Sequence, residues 1–157
     1  MKYILACALA ACAVFASQGQ ARSDESFTRF DESHMRAIAA ALSHDIRDLR
    51  ASERGYIAEM RTNEGLNYFL IASVCDERGC QGLHSIVTYM NETGLTPATV
   101  NQINIDRAAV KTTVEGDTVY FSRYDITDGG ATVASLAASV SLTVTMARAI
   151  ASDLAHD

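Results

Sequence analysis

The chain has 157 residues, 48% of them hydrophobic and 20% charged, with a formal net charge of −6. That balance fits one globular domain and excludes fibrous or disordered classes. An acidic surface without a basic stripe also speaks against phosphate backbones, so no nucleic-acid partner is expected.

Met1-Lys2 forms a short positive start, residues 3–16 an apolar core rich in Ala and Leu, and Gly19-Gln20-Ala21 a small-x-small cleavage site. This reads as a secretory signal peptide over residues 1–21, giving a soluble periplasmic chain that begins near Arg22. The apolar core is shorter than the ~20 residues that span a bilayer, so no membrane span is expected. Leu9-Ala10-Ala11-Cys12 resembles a lipobox, which makes a surface lipoprotein acylated at Cys12 the alternative.

Residues 22–33 are polar with isolated Phe27 and Phe30, a loose leader ending in a short strand that pins it. One domain then occupies residues 34–157. Met35, Ile38, Ala39, Leu42, Ile46 and Leu49 recur at helical steps, predicting a helix from His34 that Arg54 and Gly55 close, with Asp31 or Ser33 as N-cap. Three extended segments follow at 56–61, 66–75 and 81–90, joined by the turn cluster Thr62-Asn63-Glu64-Gly65 and the loop Asp76-Glu77-Arg78-Gly79. In the middle one, Tyr68, Leu70, Ala72 and Val74 alternate with Phe69, Ile71 and Ser73.

Thr96-Pro97 predicts an N-cap and first turn for a short helix carrying Val100 and Ile103. Strands at 110–114 and 118–126 flank Glu115-Gly116-Asp117, and residues 131–154 form a long final helix for which Asp128 is a candidate cap. Its apolar face of Val133, Leu136, Val140, Val144, Ala147, Ala151 and Leu154 is widened by Leu142, Met146 and Ile150, so it either sits centrally or has a partner. The order α-β-β-β-α-β-β-α lacks a βαβ crossover. It predicts an α+β domain with an antiparallel sheet of about five strands and helices packed on it.

Gly55-Tyr56-x-Ala58-Glu59, the Cys75 and Cys80 pair, Asn101-x-x-Asn104, and Glu115-Gly116-Asp117 leading to Tyr124-Asp125 and Gly129-Gly130 together resemble the YbjN domain family. The likeness covers roughly residues 36–154. Members of that family are described as bacterial sensory transduction regulators, with a fold similar to type III secretion chaperones; the resemblance implies that fold and no reaction. Ile103 stands where the family commonly has an aromatic residue, and Arg107-Ala108-Ala109 replaces its usual Arg-Phe.

Cys75 and Cys80 fall opposite each other across the second hairpin, where Cα atoms lie ~4.5–5.5 Å apart, within disulfide reach. Four intervening residues and the adjacent Asp76 and Glu77 favour a structural disulfide over a redox dithiol or thiolate metal site. His34, His44, His84 and His156 show no ligand spacing, even with Asp45 and Asp48 beside His44, so no metal or cofactor is expected. Asn101 and Asn104 share a helix face, either tying it to a neighbouring strand or binding a polar ligand; with Leu142 and Met146 they are the candidate binding residues.

No catalytic constellation stands out. The reading is therefore an exported, non-enzymatic binding or accessory domain, chaperone-like or sensory-regulatory. Its partner is a protein or a small polar ligand, and a homodimer is expected from the wide stripe of the last helix. The alternative from another class is a small periplasmic hydrolase using Asp117, Asp125 and His84, which must then converge in a cleft.

Overall fold

The computed structural model describes residues 25–53, 55–92 and 94–155. The signal peptide and its cleavage site, the lipobox Cys12, the helix-closing Arg54 and His156 lie outside the described residues. The elements run α1 (Glu32–Leu42), β1 (Asp45–Ser52), β2 (Gly55–Arg61), β3 (Asn67–Asp76), β4 (Gly79–Met90), α2 (Pro97–Asp106), β5 (Lys111–Glu115), β6 (Thr118–Ile126) and α3 (Val133–Leu154). Every strand pair is antiparallel and the sheet order is β1-β2-β3-β4-β6-β5, so the α+β architecture holds with six strands.

The added strand comes from the predicted first helix, which is cut in half. Ser43 takes a left-handed conformation (φ 55°), its N–H returns to the carbonyls of Ala39 and Ala40, and the chain leaves as β1. Ile46 and Leu49 keep the core-facing role that helical spacing suggested, for a different reason. The β1–β2 register shifts between Ile46 and Asp48, and the extra residue Arg47 brings positions three apart onto one face. Gly55 is accordingly not a helix terminator. It opens β2 at φ 141°, where a Cβ would stand 2.2 Å from the Ala72 carbonyl oxygen.

Alternation places Ala58 and Met60 of β2, Tyr68, Leu70 and Ala72 of β3, Leu83 and Val87 of β4, and Val119 and Phe121 of β6 on one buried face. α1 and α3 pack on that face and on each other. α1 contributes Met35, Ile38 and Ala39. α3 contributes Leu136, Val140, Val144, Ala147 and Ile150 among its buried residues. α1 covers part of the wide stripe of α3, while Leu142 stays 39% exposed and Met146 half-buried. α3 is long and apolar enough to cross a membrane by length and composition, but its apolar side is spent on α1, β4 and β6.

Val74 leaves the face assigned to it: its φ is 55°, unusual for a β-branched residue, and its side chain is 62% exposed. Residues 25–31 are pinned by paired hydrogen bonds of Phe27 with Ala131 and of Phe30 with Cys80, and Phe30 is a core residue at 1% exposure. Thr132 caps α3 in place of Asp128, whose carboxylate instead accepts a hydrogen bond from Gln81 Nε2 at 2.6 Å. Asp31 caps α1. Burial pushes its carboxyl up, but hydrogen bonds from Ser33 and His34 outweigh burial and hold it at about 2.

Candidate functional site

The C-terminal turns of α3 overhang the ends of β4 and β6 and leave a cleft of about 540 Å³. Its floor is Val119 and Phe121, and Leu95, Ala151 and Leu154 form its apolar walls. Tyr89 stands edge-on to Phe121, ring centres 5.9 Å apart. The loop that carries Leu95 is fixed at both ends: Asn91 N–H donates to the Asp117 carbonyl at 2.8 Å, and Asn91 Oδ1 accepts from the Leu95 N–H at 2.9 Å.

One cation reaches this apolar slot. Arg148 is the sole charged residue between positions 131 and 152. Its Nη2 donates to Thr62 Oγ1 at 2.7 Å and to Glu64 Oε2 at 3.0 Å. Thr62 is itself buried, and its hydroxyl also accepts the Leu66 N–H, so the guanidinium is anchored from the β2–β3 turn. Hydrogen bonding to Arg148 holds the Glu64 carboxyl below its ordinary range. Burial pushes the Tyr89 phenol up against the opposing pull of Arg148, so the phenol keeps its proton. The cleft therefore offers an apolar volume, one fixed cation and the Tyr89 hydroxyl, with the exposed Glu92 carboxylate and Ser152 hydroxyl also in its lining.

Opposite the helices the sheet presents a second surface. Cross-strand register aligns Asp48, Glu59, Phe69, Ile86, Ser122 and Lys111 in one row, and Arg50, Ile57, Ile71, His84 and Tyr124 in the next. Tyr124 lies across Gly82, where a Cβ would fall 1.9 Å from the phenol oxygen. Its hydroxyl is 3.2 Å from Ser73 Oγ, and its ring meets His84 edge-on at 5.9 Å. Burial and the nearby Lys111 both push the His84 imidazole down, toward its neutral form.

The candidates read from sequence are dispersed. Asn104 exchanges two hydrogen bonds with the Thr112 backbone, Nδ2 to the carbonyl at 3.0 Å and Oδ1 from the N–H at 2.7 Å. Asn101 on the same helix is exposed. Leu142 is 39% exposed and Met146 half-buried on α3, and neither lines the cleft. Cys75 and Cys80 are joined, at paired positions of β3 and β4.

Asp125 is turned to the helix side, where Ser139 Oγ donates to it at 2.6 Å and Arg123 Nε at 3.2 Å. His84 lies on the open face, and Asp117 lies in the β5–β6 turn. These three do not converge, so the cleft required of a hydrolase is not formed by them. Among the described residues no cluster of His, Cys, Asp and Glu is placed to hold a metal ion.

Tyr89, Phe121 and Arg148 escaped sequence reasoning because the cleft is assembled from strand ends, a loop and a helix far apart in the chain. The lone arginine in the apolar run between positions 131 and 152 was the available signal. The chain matches no family model, no curated protein and no solved structure.

Proposed function

We propose that this chain is an exported, non-enzymatic binding domain of the sensory-accessory kind that its YbjN-like motifs suggest, with the cleft beneath α3 as its ligand site. The observation that carries the proposal is the cleft itself. At about 540 Å³ it falls within the ~300–1,000 Å³ common for small-molecule sites, with apolar walls and few convergent polar groups. Arg148 supplies the orienting charge. Its Glu64 contact is an arm whose side chain is 68% exposed, which an anionic head group can replace while Thr62 keeps its hold. The fitting ligand is an apolar molecule with one acidic end. Export agrees with the Cys75–Cys80 disulfide, since such bonds persist in oxidising compartments. The mass of the mature N-terminus separates cleavage after Ala21 from acylation at Cys12.

The binding test is calorimetric titration of the purified exported chain with dodecanoate. One site per chain is expected. Arg148→Met weakens binding about tenfold or more, the usual scale for a charged hydrogen bond, and Ala151→Trp, which fills the cleft, removes it. Absence of saturable binding, or binding indifferent to Ala151→Trp, overturns the proposal.

A further inference from the structure

Among the described residues, neither α1 nor α3 covers the second face of the sheet. Ile57, Phe69, Ile71 and Ile86 occupy its centre, and α1 and α3 lie on the opposite side. Six strands at ~4.8 Å, with same-face residues repeating every ~6.8 Å along four rows, make a surface of roughly 600–700 Å². Two such faces together bury about 1,200–1,400 Å², within the range of specific protein interfaces.

Apolar area alone does not name an occupant; the symmetry of the face does. The sheet order β1-β2-β3-β4-β6-β5 has its midline between β3 and β4. A two-fold axis parallel to the strands along that midline lays β3 over the partner's β4, β2 over its β6 and β1 over its β5. Using the observed register, Phe69 then meets the partner's Ile86, and Ile57 meets the partner's Tyr124. Arg61 comes over the face of the partner's Tyr120, a cation–π arrangement.

The charges follow the same rule. Acids stand at one edge, Asp48 on β1 and Glu59 on β2, and Lys111 stands at the other on β5. Neither Glu59 nor Lys111 has an ion pair among the described residues, whereas Asp48 is bridged by Arg50. The axis brings Lys111 over the partner's Asp48 and one strand from the partner's Glu59, twice per dimer. Arg50 on β1 faces no charge across the axis, because β5 begins at Lys111. Packed sheets rotate by ~30° relative to one another, which displaces the edge contacts along the strands and leaves the central ones in place. A long lysine side chain accommodates that displacement.

We infer that the chain forms a face-to-face homodimer in which the uncovered sheet faces pack on each other, centred on Phe69 and Ile86 and keyed by Lys111 against Asp48 and Glu59. The closed, isologous contact completes the burial of the half-buried Ile57, Phe69, Ile71 and Ile86 and cannot propagate. None of the residues paired by the axis lines the cleft, so this assembly stands or falls independently of the ligand proposal.

Light scattering on the eluting exported chain tests it. Wild type runs at twice the chain mass. Phe69→Glu runs at the single mass with its circular dichroism unchanged. Lys111→Glu weakens the dimer about tenfold or more by setting acid against acid, and Asp48→Lys added to Lys111→Glu restores it. The restoration distinguishes a specific contact from a damaged fold. A monomeric wild type overturns the inference, as does a monomer that sediments with phosphatidylglycerol vesicles through this face, or a dimer indifferent to both Phe69→Glu and Lys111→Glu.

Discussion

Asn104 and Thr112 pair as though the asparagine amide were a neighbouring strand, its Nδ2 donating to the Thr112 carbonyl at 3.0 Å and its Oδ1 accepting from the Thr112 N–H at 2.7 Å. β5 is an edge strand, and Thr112 is fully buried. The amide thus satisfies backbone groups that the sheet leaves open, and it anchors α2, a helix with no buried residue of its own. Asn104→Ala strands both groups and costs about 2 kcal/mol. Asn101→Ala, on the exposed side of the same helix, leaves urea denaturation midpoints unchanged. Equal effects of the two substitutions would refute this division of roles.

Thr112 itself invites the opposite change. Its hydroxyl is buried with no hydrogen-bond partner among the described residues. Replacing it with a methyl group removes an uncompensated polar burial, so Thr112→Val is neutral or stabilises by up to about 1 kcal/mol. A loss of more than that in denaturant titration would mean the hydroxyl is satisfied in solution.

The Cys75–Cys80 bond closes a hairpin whose loop is only Glu77-Arg78. So short a closure removes little entropy from the unfolded chain, about 2 kcal/mol in the loop-entropy description. Reduction therefore lowers the thermal midpoint by several degrees without changing far-ultraviolet circular dichroism. Buried Cys80 and its backbone pairing with Phe30 keep the hairpin in place. A global loss of structure on reduction would show that the clasp defines the fold.

How far these features could be read in advance depended on whether their signal was local. Thr96-Pro97, Gly65 and Gly116 marked α2 and two turns because each acts within a few residues. The strands of the two hairpins alternated visibly. Alternation could not tell which side of β3 the helices would cover, since Tyr68, Leu70 and Ala72 on one side and Phe69 and Ile71 on the other are all apolar. Ile46 and Leu49 fitted a helix as well as they fit a bulged strand, and Ser43 gave no glycine to announce the break. The cleft and the row from Asp48 to Lys111 depend on strand order, which no short stretch encodes.

Acid sensitivity centres on His44 and Tyr68. The imidazole Nδ1 lies 2.8 Å from the hydroxyl of the fully buried Tyr68. Burial pushes that phenol up, so it stays protonated and donates while neutral His44 accepts. Burial also pushes the His44 pKa below its ordinary 6.5; Arg148 acts in the same sense, and Glu64 and Asp45 oppose them. With the folded pKa below the unfolded one, the unfolded chain binds the extra proton first as pH falls. Stability is therefore complete above pH ~6.5 and declines below it, until the folded state too is protonated. His84, lowered by burial and Lys111, adds to the same slope. Denaturant midpoints measured from pH 8 to pH 5 should be flat and then fall. His44→Gln, which keeps an acceptor without a titrating proton, reduces the slope, and adding His84→Gln reduces it further. A slope unchanged in both variants would place the acid sensitivity elsewhere.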